Sequence, residues 1–257
     1  MITAVAAEAV LKNRYVIKSN GTGEEHWRTD YLGKRSTGTG AASPQAFLIE
    51  MQANETILPH FHEVDQFQVF VAGSGALGRH DVATCAVHYT DHHTGYGPIN
   101  AGPQGYTYFT LRAETDPGAK YLHKPGYREA LKPSGKRHAT AGGITLTTAP
   151  VLAHLPAPVS EPLLAEFDGS DGLGAWMHRL GAGQDLPVMS PAGTGGQYWL
   201  VMNGSLVWNG AEYGPWSLLF VERDGPALAA TAGERGLEVL HLQYARTPST
   251  TQRARAA

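Results

Sequence analysis

The second half of this chain repeats the first, and that repeat restricts the fold more than any other feature of the sequence. Gln66 opens a mostly apolar run that ends at Gly73-Ser74, and Gln197 opens an equivalent run that ends at Gly204-Ser205. Tyr96-Gly97-Pro98 recurs as Tyr213-Gly214-Pro215. Ala101 and Gly105 bracket a turn that leads into an apolar run, and Ala232 and Gly236 bracket another at the same place in the second half. Self-similarity of this kind means one structural unit built twice. The unit is made of strands. Short Val/Leu/Tyr/Phe runs at 46–52, 67–71, 85–90 and 106–113 are separated by turn residues, and the 31 Gly and 16 Pro favour strands and turns over helices. Short strands at regular spacing with glycine corners predict two small β-barrels or sandwiches, which limit exposed sheet edges.

Composition narrows the function classes. The net charge of −3 gives no argument for nucleic-acid binding. No apolar run approaches the roughly 20 residues of a membrane span. The start lacks a basic region ahead of its apolar residues and reads as mature protein. Cys85 is the one cysteine, so no intrachain disulfide forms, and a reducing compartment suits the chain. A cytoplasmic protein is expected. Residues 117–143 carry Lys120, Lys124, Arg128, Lys132, Lys136 and Arg137 among Gly, Pro and Ser. They read as a solvated linker, with a basic flap over an anionic ligand as the alternative. The expected division is a first barrel at 1–125, a linker at 126–160, a second barrel at 161–246 and a disordered tail at 247–257. A loop is expected at 36–44.

The candidate chemistry lies between Pro59 and Gly73. His60 and His62 are one residue apart, so on a strand both rings point to the same face. A same-face imidazole pair beside a further oxygen or nitrogen donor is the start of a metal site. If Gln66 points inward, so do Gln68 and Phe70. If Tyr108 points inward, so do Tyr106, Thr110 and Arg112. This polar interior is unlike a purely structural core, because buried polar groups cost free energy unless satisfied, and it is the sequence argument for a pocket. An inward Arg112 either pairs with a barrel carboxylate such as Glu50 or forks a substrate carboxylate or enolate.

These residues resemble the cupin family. Its first motif is His-x-His, three or four residues, Glu, six residues, Gly. Here His60, His62 and Gly73 fall in place and Gln66 stands where the Glu would be. The second motif is Gly, five residues, Pro-x-Gly, two residues, His. Gly97, Pro103 and Gly105 match it, with Tyr108 in the His position. The resemblance covers residues 46–113, and 175–246 through the repeat. It implies an all-β bicupin, two tandem jelly-roll barrels with the metal pocket in the first. It implies one divalent metal held by His60, His62, Gln66 and Tyr108, with Fe expected first and Mn, Ni or Zn as alternatives. Gln66 removes one negative charge from the usual set, and a phenolate at Tyr108 would restore it. In the second half the segment 187–196 has no histidine and Val239 falls at the Tyr108 position, so that barrel is expected to be metal-free.

Two functions follow. The first is a metal-dependent enzyme for a small, oxygen-rich, anionic substrate: a dioxygenase, lyase, isomerase or decarboxylase. Tyr108 or Tyr106 would then act as acid or base, with Arg112, Gln68, Thr110 and Phe70 as substrate contacts. The second is a non-catalytic small-molecule binder with a degenerate site. A homodimer is expected by family analogy. His88, His92 and His93 are spare donors. His92 and His93 read as an exposed polar loop, His88 as a strand residue, and Glu63 and Asp65 as a solvated turn.

Overall fold

The computed structural model describes residues 1–19, 21–34, 43–132, 136–167 and 169–246. The expected tail at 247–257, and all but the last two residues of the expected 36–44 loop, lie outside these residues. Strands dominate, at 48% against 5% helix, so the all-β expectation holds. No helix among the described residues is long and apolar enough to cross a membrane.

The chain divides into two compact units. One is Asn13–Ile144, and the other joins Met1–Lys12 to residues 145–246. This division differs from the expected boundaries at both ends of the first barrel. The strand Ile2–Val5 pairs with Leu218–Val221 and so belongs with the later residues. Within the expected linker, His138–Ala141 pairs with Val87–Thr90 as an edge strand of the first unit. Neither pairing leaves a mark on composition, because both are made by backbone groups of residues far away in sequence.

The first unit is built on a nine-stranded antiparallel sheet, with Gln66–Leu77 and Ile99–Arg112 as its central pair, beside a two-stranded sheet of His60–Phe61 and Lys120–Tyr121. Gln45–Met51, Glu25–Leu32 and Tyr15–Lys18 follow on one side, and Val87–Thr90 and His138–Ala141 on the other. Three of the expected strands are present with shifted ends. The fourth, expected at 106–113, extends back to Ile99, through residues expected to be a connection. Alternation along the central strands sends Gln66, Gln68 and Phe70, and Tyr106, Tyr108, Thr110 and Arg112, to one face. That face holds the core cluster with Phe47, Ile49, Ile57, Phe70, Tyr106 and Tyr108.

The second unit repeats the scheme. Gln197–Trp208 and Thr231–Gln243 form its central pair, flanked by Gly174–Leu180 and Leu218–Val221. Register makes the equivalences explicit. Gly73 lies opposite Tyr106, and Gly204 opposite Leu237. Beyond each glycine the pairing skips one residue, Val71 in the first unit and Met202 in the second, which marks the same β-bulge twice.

Candidate functional site

A cavity of about 340 Å³ opens in the first unit, walled by the inward rows of the central strands and by residues 117–119 and 121. The supposed linker therefore begins as a wall of the cavity. Lys120–Tyr121 pairs with His60–Phe61, which ties the segment to the strand that carries the histidines. Lys120 itself bonds Glu63 at 3.3 Å rather than reaching over the cavity.

The side chains behind the wall form a directed hydrogen-bond chain. The Leu58 carbonyl can only accept, so His60 carries its proton on Nδ1 and donates across 2.7 Å. The His60 Nε2 is then a bare acceptor, and the Tyr96 hydroxyl donates to it at 2.8 Å. The Tyr96 oxygen in turn accepts from the Gln66 amide nitrogen at 2.6 Å. The Gln66 carbonyl oxygen is forked by Arg112, through Nε at 3.1 Å and Nη2 at 2.9 Å. Arg112 Nη1 also donates to Gln45 Oε1 at 2.6 Å.

A second arm holds His62. Its Nδ1 donates to Asp116 Oδ2 at 2.7 Å. The same carboxylate accepts the backbone N–H groups of Glu63 and Gly118, and Arg112 Nη1 lies 3.6 Å away. His62 borders the cavity, and its Nε2 takes no hydrogen bond from the described residues. The rings of His60 and His62 meet edge-on, with centroids 5.2 Å apart.

Burial sets the protonation states. It pushes the His60 pKa down to about 3, with His62 adding to the effect. Burial also lowers His62, helped by Arg112 and opposed by Asp116. Burial alone would raise Asp116, but His62, Arg112 and the hydrogen bonds hold its carboxyl well below the usual range. Tyr96 is raised by burial and stays a neutral phenol. At neutral pH the site therefore has two neutral imidazoles, one carboxylate and one guanidinium. Lys18, Arg28, Arg112 and Asp116 border the cavity. Lys18 is paired with Glu25 at 3.3 Å and Arg28 with Asp30 at 2.7 Å, so Arg112 and Asp116 are the charged groups that belong to the cavity itself.

No protein-family model matches the sequence, and no curated protein matches it in sequence. Solved structures match it in shape. A candidate dioxygenase from Nostoc punctiforme superposes with a TM-score of 0.67 at 9% identity, over 96% of this chain and 83% of that one. The pirin YhhW of Escherichia coli, in complex with nickel(II), gives 0.53 at 13% identity, over 96% and 100%. A salicylate 1,2-dioxygenase variant from Pseudoaminobacter salicylatoxidans, in complex with gentisate, gives 0.56 at 14% identity, over 95% and 81%. The fold is that of a bicupin. At these identities the likeness carries the two jelly-roll barrels and nothing of the chemistry, which rests on this chain's own residues.

The expected site residues divide into three groups. His60, His62, Gln68, Tyr108, Thr110 and Arg112 line the cavity. Gln66 is fully buried just behind it and holds Tyr96. Phe70 and Tyr106 do not reach the wall. They stack on each other at 4.7 Å and pack against Tyr108 from behind, being further along their strands toward the bulge. Neither expectation for Arg112 holds alone, since Glu50 is bonded to Arg14 and the Arg112 guanidinium is held by Gln45, Gln66 and Asp116.

The spare histidines stay out of the cavity wall. His88 is buried against Tyr96, His92 bonds Asp65, and His93 packs on Phe61. Four site residues were not read from the sequence as such: Tyr96, Asp116, Gln45 and Arg28. The recurrence of Tyr96-Gly97-Pro98 as Tyr213-Gly214-Pro215 reads as a shared turn with a packed aromatic, and nothing in it singles out the Tyr96 hydroxyl. Asp116 lies just past the last expected strand, and only its place four residues after Arg112 hints at a role.

A resident metal fits this site poorly. Among the described residues no three His, Cys, Asp or Glu side chains gather where they could hold an ion. The Gln66 oxygen, the expected third ligand, is committed to the guanidinium, and the His60 Nε2 accepts a hydrogen bond from the Tyr96 hydroxyl. The Tyr108 phenol is raised well above its ordinary pKa by burial, which opposes the phenolate that would restore the missing charge. The donors present amount to one open imidazole nitrogen beside a cation.

Proposed function

We propose that this bicupin binds a small organic anion in its first barrel and moves a proton on it, as an isomerase or lyase does. The observation that carries this reading is the His62–Asp116 pair, 2.7 Å apart, with the imidazole facing a cavity that the Arg112 guanidinium also lines. A buried carboxylate on Nδ1 fixes the tautomer, leaves the Nε2 lone pair toward the ligand, and stabilises the imidazolium once it forms. Arg112, in the cavity wall, supplies the positive charge that favours an anion there, since Arg28 and Lys18 are paired with Asp30 and Glu25.

The step is a proton abstraction next to the ligand's carboxylate. The C–H bond breaks, its electron pair enters the enolate, and the proton sits on His62 Nε2. Arg112, beside Asp116, favours the enolate's charge. Return of the proton to the other face gives an isomer, and departure of a neighbouring leaving group gives a lyase product. A non-catalytic binder is the second reading. It is favoured by the capture of His60 and Gln66 by Tyr96, which takes two polar groups out of play.

The test is deuterium wash-in, followed by NMR, with mandelate, malate and phenylpyruvate in D2O. The expected result is exchange above the buffer rate with at least one acid. His62→Gln should abolish it while binding persists, and Asp116→Asn should slow it about a hundredfold or more. Binding without exchange would favour the binder. Stoichiometric uptake of supplied iron, manganese, nickel or zinc, lost in His60→Ala/His62→Ala, would overturn the metal-free chemistry.

A further inference from the structure

We infer that the anion taken by this cavity is a hydroxy acid whose hydroxyl group sits on Gln68. The inference rests on the proposed organic-anion reading and adds the group that stands beside the carboxylate. Two inward glutamines on one strand have opposite fates. Gln66 is bonded at both ends of its amide, to Tyr96 and to Arg112. Gln68 is 2% exposed and lines the cavity, and its Oε1 is buried with no hydrogen-bond partner among the described residues.

The neighbours explain why nothing in the chain answers it. Gln68 lies opposite Thr110 on one side and His88 on the other. His88 turns its Nδ1 to Thr140, and its own Nε2 is likewise without a partner. A buried amide with no partner costs more than an apolar side chain of the same shape, so a ligand group is the answer the cavity leaves open.

The chemistry narrows that group to a hydroxyl. A hydroxyl donates to Oε1, and it accepts from the amide nitrogen if the amide is turned over, so it fits either orientation. An ammonium group donates too, but it would meet the Arg112 guanidinium in the same cavity wall. Gln68 sits one inward row from the Gln66–Arg112 pair, about 7 Å along the strand. A ligand gripping both rows has its hydroxyl on the carbon next to the carboxylate or one further.

Calorimetric titration of matched acids tests this. Lactate, 2-hydroxy-4-methylpentanoate and mandelate are compared with propanoate, 4-methylpentanoate and phenylacetate, using the native protein and Gln68→Met. In at least one set the hydroxy acid should bind about tenfold or more tightly than its partner. Gln68→Met should remove that preference while leaving the partner's affinity within about threefold. If the members of the tightest set bind alike, or the preference survives Gln68→Met, the inference falls and the organic-anion reading stands. If none of the six binds, that reading fails and takes the inference with it.

Discussion

At the scale of single residues, the site is defined by which nitrogen carries the proton. The Leu58 carbonyl and the Asp116 carboxylate each accept from an Nδ1, so both imidazoles present Nε2. One Nε2 is answered by Tyr96, and the other is left for a ligand. Holding these rings neutral has a consequence for stability. His60 and His88 are both pushed down to about 3 by burial, whereas an unfolded histidine titrates near 6.5. Above pH 6.5 both states are neutral and the groups are silent. Below it the unfolded chain takes up protons that the native state refuses, so stability falls as the pH drops from 6.5 toward 3. Each such imidazole costs about 1.4 kcal/mol per pH unit across that window. Asp116, held low, adds its own loss only once the pH passes below the ordinary carboxylate range. Urea unfolding from pH 7 to 4 should show this fall, and His88→Gln should flatten it by about one proton. A slope unchanged in His88→Gln would mean that this ring is protonated in the native state.

At the scale of elements, the glycine beside the bulge in each central strand decides the geometry. Gly73 has φ of 76° and Gly204 of 67°, and a Cβ at either would collide with a carbonyl across the sheet, that of Gly105 or Gly236. Two chain segments approach at the same bulge in both units, and only glycine allows it. Gly73→Ala and Gly204→Ala should each cost more than the roughly 1–3 kcal/mol of the backbone strain alone. Gly23→Ala is the control, since its φ is 80° and nothing lies within 4 Å of the added Cβ. Thermal denaturation in which all three lose the same stability would show that the close approach contributes nothing. The glycine pairs were also what made the fold legible. Gly73 with Gly105 and Gly204 with Gly236 are pairs the sequence repeat picks out, and they bring the inward rows with them. The site was less legible because its acceptors are supplied from loops. Asp116 and Tyr96 lie in irregular segments, where no alternation says which way a side chain points. Ile2–Val5 joins the other unit through backbone pairing that residue types do not reveal.

At the scale of the whole molecule, one sheet plan was built twice and filled differently. The register aligns Gln68 and Thr110 in the first unit with Trp199 and His241 in the second. There the indole of Trp199 stacks on the His241 ring at 4.1 Å, with Trp176 on the other face of that ring at 4.9 Å. The pair equivalent to Gln66 and Arg112 is Gln197 and Gln243, which bond each other at 2.8 Å and carry no charge. So the second unit has a packed interior where the first has a cavity with a guanidinium in its wall. Packing and opening should have opposite signatures. Trp199→Ala removes a fully buried indole from a filled core and should cost about 3–5 kcal/mol. Gln68→Met replaces an unanswered amide by an apolar side chain of similar shape at the edge of an existing cavity, and should be neutral or stabilising. Denaturant midpoints of the two variants, at equal m-value, check the contrast. A Gln68→Met protein destabilised as much as Trp199→Ala would mean that the Gln68 amide is satisfied within the folded chain and waits for no ligand.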